Sequence, residues 1–129
     1  MNNNNAVSIY LKAMAVYWLV FGLITIFYPS LMNLFQSAEG IAAHTALSDH
    51  IWMHGGFDIL SVSILVFALS QASISRLMLR AVAVAALMPA IAIGYSLAAT
   101  PYWNPLFIVA GVGCLAFAVG GFLFANRSS

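Results

Sequence analysis

Charge is what this chain has least of. Of its 129 residues only three are acidic and four basic, so charged side chains make up 5%. Soluble domains carry about a quarter, and so few charges cannot cover a chain that is 64% hydrophobic. A water-soluble globule is excluded. The four basic residues form no stripe, which excludes an electrostatic surface for nucleic acid. The single cysteine, Cys114, rules out an intrachain disulfide framework; inside an apolar run it is expected to be a small packing residue. Of the four prolines, Pro29, Pro101 and Pro105 lie between apolar runs, and only Pro89 falls within one.

Long apolar runs are what the chain has in place of charge. Four of them, at about residues 9–28, 51–69, 77–99 and 106–125, approach the roughly 20 residues needed to span a bilayer. The expected fold is all-α: an integral membrane four-helix bundle, one domain over residues 1–129. Met1 to Asn5 is a polar, frayed end. No charge precedes Lys12 and no A-x-A pattern follows the first run, so that run is expected to be a retained span. Between Pro29 and Asp49, Leu31, Met32, Leu34 and Phe35 fall at helical spacing and predict a short interfacial helix between the first and second spans. Thr100 to Pro105, TPYWNP, reads as a tight turn with interfacial aromatics.

Threading four spans puts Lys12, Arg76, Arg80 and Arg127 on one side and leaves the other without Lys or Arg. By the positive-inside tendency both termini are cytoplasmic, in an inner or plasma membrane. Small residues at four-residue spacing, Ala86, Ala90, Gly94 and Ala98 in the third span and Ala110, Cys114 and Ala118 in the fourth, predict close helix approach. Pro89 removes the hydrogen bond to the carbonyl of Ala85 and is expected to kink the third span.

The chemistry is concentrated in Asp49 to Asp58, DHIWMHGGFD, which holds two of the three histidines and two of the three acidic residues. His50, His54 and Asp58 recur every four residues and share one helical stripe, with Ser61 next. Ionisable groups in a span mark a functional site, so Asp58 is expected to face the bundle interior, paired with His54 or with Tyr95 of the third span. His50 and His54 have the spacing of two metal ligands, although the H-E-x-x-H pattern is absent. His54 followed by Gly55 and Gly56 also offers an imidazole with open space beside it, which a haem requires.

WMHGG at the head of the second of four spans is similar to the start of the second span in styrene oxide isomerases. That family comprises small membrane enzymes that assemble as trimers and use ferric haem b as a Lewis acid to rearrange an epoxide to a carbonyl compound. The resemblance implies that His54 is the iron ligand, that Gly55 and Gly56 flank the haem, that Tyr95 lies on the substrate side, and that the substrate is apolar. This chain departs from the family in being shorter, in having no acidic residue in its third span, and in carrying Asp58. GL-x-x-x-F-x-P at the end of the first span also resembles uncharacterised four-span bacterial membrane families. Three functions are therefore open: a haem-dependent isomerase with Asp58 or Tyr95 stabilising developing charge, a proton-coupled carrier working through Asp58, and an accessory subunit of a larger membrane complex. The expected partners are the lipid bilayer, an apolar small molecule and further copies of the chain.

Overall fold

In the computed structural model, which describes residues 3–127, the chain is helical almost throughout. Helix α1 runs Asn3–Phe27; a 3-10 turn, Pro29–Phe35, and the short α2, Ala38–Ala42, follow. Then come α3 (Ala46–Leu69), α4 (Arg76–Ala99), a 3-10 turn at Pro105–Phe107, and α5 (Ile108–Arg127). Four of these helices are long and apolar enough to cross a membrane. The protein is an all-α, multi-pass membrane four-helix bundle.

The spans differ from the sequence expectation mainly at their starts. Asn3–Asn5 already belong to α1, while Met1 and Asn2 lie outside the described residues. Helix α3 starts at Ala46, five residues before the apolar run. Thr45 caps it, accepting from the Ser48 N–H while the Ser48 hydroxyl accepts from the Thr45 N–H, a reciprocal capping box. The expected interfacial helix over Leu31–Phe35 is a 3-10 turn entered through Pro29. Helix α4 is continuous through Pro89.

The bundle is built from two tight pairs, α1 on α3 and α4 on α5, joined through α1 and α5. Glycine sets the distance in the first pair. A Cβ on Gly22 would stand 3.1 Å from the Gly56 carbonyl oxygen, and one on Gly56 would stand 2.5 Å from Thr25 Oγ1. Without a strong hydrophobic force between helices in lipid, this backbone approach supplies the dispersion contact that holds them. Ala83 and Gly121 meet in the same way between α4 and α5. The α1–α5 seam is wider and is filled by tyrosines: the Tyr10 hydroxyl donates to the Phe117 carbonyl at 2.6 Å, and that of Tyr17 to the Ala110 carbonyl at 2.9 Å. Leu11, Met14 and Trp18 of α1 form the core with Val66, Val82, Ala86, Cys114 and Ala118. The expected packing roles of Ala86, Cys114 and Ala118 hold, whereas Gly94 and Ala98 are exposed.

The two loop segments at one end close over the bundle as a cap. Asn104 donates its side-chain amide to the carbonyls of Leu34 and Gln36 at 2.7 and 2.9 Å, and its own N–H to that of Phe35 at 2.9 Å. Trp103 stacks on Phe107, with centroids 4.4 Å apart, and meets the edge of Trp52. A Cβ on Gly40 would collide with the Tyr102 carbonyl oxygen, so glycine is required where α2 crosses the 100–104 turn.

Candidate functional site: the outer face of α3

The stripe of His50, His54, Asp58 and Ser61 forms as the four-residue spacing demands, but it points away from the bundle. All four residues are exposed. The reason lies on the opposite side of the helix. Trp52, Gly56, Ile59, Ser63, Val66 and Ser70 make a three- and four-spaced seam, and this seam faces α1. Gly56 packs against Gly22 and Thr25; Ser63 donates to the Ala15 carbonyl at 2.8 Å; the Ser70 carbonyl accepts from Ser8 at 2.8 Å. A helix that buries this seam has to turn the histidines outward. The expectation that Asp58 faces the interior is overturned.

Asp58 is also deeper than expected. It is the thirteenth of the 24 residues of α3, about 18 Å from the start of the helix at 1.5 Å per residue. The apolar run begins only at Ile51, so hydropathy leaves out the extra turn that Ala46–His50 adds. Among the described residues neither His54 nor Asp58 has a hydrogen-bond or ion-pair partner, so the expected pairings of Asp58 with His54 and with Tyr95 are not made. Tyr95 is 72% exposed on the outside of α4. Ser61 donates to the Phe57 carbonyl of its own helix.

The two glycines after His54 part company. Gly56 is buried and serves the α1 contact, so it is not free to make room beside His54. A Cβ on Gly55 would meet nothing within 4 Å, and the space next to His54 on that side is open. An accessible imidazole is therefore present at His54, but among the described residues this chain does not enclose a slot for a planar ring around it. Nor do His50 and His54 gain a third ligand: among the described residues no three His, Cys, Asp or Glu side chains converge on a metal position. A carrier path through the bundle finds no support either, since Asp58 stands outside it.

One pair escaped the sequence reading. His44 Nε2 lies 2.9 Å from Asp49 Oδ1 at the capped end, and His44 Nδ1 is buried without a partner. The Thr45 cap is what brings them together, because it turns the chain into α3 with His44 one residue before the cap and Asp49 in the first turn. The T-x-x-S spacing of Thr45 and Ser48 was the available signal.

Comparison with protein-family models, curated proteins and solved structures finds no match to this chain.

Proposed function

We propose that the protein is a subunit of a membrane assembly whose working site lies where the His50–His54–Asp58 face of α3 meets a neighbouring chain. The observation that carries this reading is the exposure of a carboxyl and two imidazoles, without partners among the described residues, along the outside of a spanning helix. An ionised aspartate at the centre of a span costs about 2.5–3.5 kcal/mol or more, and the chain offers nothing to offset it. A neighbour supplies a donor or acceptor and excludes lipid. In that contact the neighbour meets the Asp58 carboxyl together with His54, one turn away on the same face. Lys12, Arg76, Arg80 and Arg127 belong to the end opposite the cap, where Arg80 reaches Asn126; on this reading that end is cytoplasmic.

The test is association of fluorescently labelled full-length chains in proteoliposomes of increasing lipid content. The wild-type chain associates, and Asp58→Leu weakens association about threefold to thirtyfold, the range of one interhelical hydrogen bond in a membrane. Monomers at every density with no co-purifying partner, or association unchanged by the substitution, would overturn the proposal.

A second reading, the haem-dependent isomerase, is favoured by the open space at Gly55 beside an exposed His54. When bound there, haem iron would supply Lewis-acid polarisation of an epoxide oxygen. His54 would hold the group, and the neighbouring chain would close the slot and exclude water from it. Its test is the absorption spectrum of haem-supplemented protein: a Soret band in the wild type that is lost in His54→Ala supports it, and no band in the wild type contradicts it.

A further inference from the structure

Just beneath the cap the four spans leave a gap. Its volume is about 130 Å³ and its surface is wholly apolar. Trp18, Ile59, Pro89 and Ala110 wall it, one from each span, and Trp52 and Phe107 roof it. The gap has an evident origin. The tyrosine-bridged α1–α5 seam is wide at this level, and three of the residues that line it from α4 and α5, Pro89, Ala110 and Cys114, carry short side chains. An unfilled cavity destabilises a bundle in proportion to its volume, so an occupant that restores the missing contacts is favoured.

The wall decides what the occupant is. Water needs two to four polar partners, and an apolar cavity of about 150 Å³ stays dry yet accepts benzene. The size therefore suits one ring. Tyr17, Trp18, Thr25 and Trp52 line the gap as well, yet their oxygen and nitrogen atoms contribute nothing to its surface, so an occupant meets no donor or acceptor there. Trp18 also forms part of a second, lipid-facing groove of about 410 Å³ lined by Met14, Val62 and Ala85. The indole thus separates the inner cavity from a groove that acyl chains reach.

We propose that this inner cavity is a binding site for an uncharged, ring-sized apolar molecule, which enters from the bilayer past Trp18. Ring contacts hold the occupant. The site is separate from the α3 face and does not depend on it.

Full-length protein in nanodiscs, titrated with fluorobenzene and followed by ¹⁹F NMR against empty nanodiscs, tests the proposal. A saturable bound signal of one probe per chain is expected in the wild type. Ala110→Leu, which fills the gap, abolishes it while leaving the helical circular dichroism intact; should that variant fail to fold, Ile59→Phe fills the gap from α3. No saturable signal in the wild type, or one unchanged in a folded gap-filling variant, would overturn the site.

Discussion

Gly55 and Gly56 are chemically identical neighbours with opposite duties. A methyl group at 56 would press on Thr25 Oγ1 and on Ile26 Cγ1 at 2.5 and 2.7 Å, and on the Gly22 carbonyl at 3.0 Å. The last of these is backbone and cannot give way without moving α1. Gly56→Ala is expected to destabilise the bundle by about 1–3 kcal/mol, the usual cost of overpacking. Gly55→Ala meets nothing and gains helix propensity, up to about 1 kcal/mol. Unfolding of the two variants in mixed micelles checks the pair, and equal effects would contradict the α1–α3 packing described above. The same contrast separates Ser63, buried and bonded to the Ala15 carbonyl, from Ser61, which bonds only its own helix. Asp58 and His54 belong with the second kind: the chain itself holds them by nothing but backbone.

At the scale of elements, the cap is held through Asn104. Its amide satisfies two carbonyls of the 29–36 segment, and its Oδ1 accepts from the Leu106 N–H at 2.9 Å, capping the turn into α5. Asn104→Ala is expected to cost about 1–3 kcal/mol, because it leaves Leu34 and Gln36 carbonyls unsatisfied. Faster amide exchange across residues 29–45, with the spans unchanged, is the readout. The four spans were legible in the sequence, since runs of apolar residues of bilayer length have few other uses. The cap tie was not, because Asn104 bonds across about 70 residues of sequence and no local pattern encodes that partner. The orientation of α3 was legible in principle and was misread. The polar stripe drew attention, while the seam of Gly56, Ser63 and Ser70, small residues at heptad spacing, is the stronger signal for which face packs. The start of α3 was misplaced for a similar reason: hydropathy marks where a helix becomes apolar, whereas Thr45 and Ser48 mark where it begins.

The whole molecule is two tight helix pairs joined by a looser seam. Tyr10 and Tyr17 donate across that seam to carbonyls of α5, and their rings pack on Phe117 and, for Tyr10, on Phe124. Replacing both tyrosines by phenylalanine keeps the rings and removes two hydrogen bonds. A loss of about 1–3 kcal/mol is expected, read as lower thermal stability in detergent with helix content retained; no change would mean that ring packing alone joins the halves. With the interior occupied by this packing, the ionisable groups of α3 are left on the outside, where the proposed shared site calls for a neighbour. The most direct measurement is oxygen accessibility of a spin label at Ser61→Cys in a Cys114→Ser background, in reconstituted bilayers, with Leu123→Cys on α5 as the lipid-facing reference. If another chain covers the α3 face, the label at 61 is shielded from membrane-dissolved oxygen relative to that at 123. Equal accessibility at the two positions would mean that His54 and Asp58 face lipid, and the account of a shared site would fail.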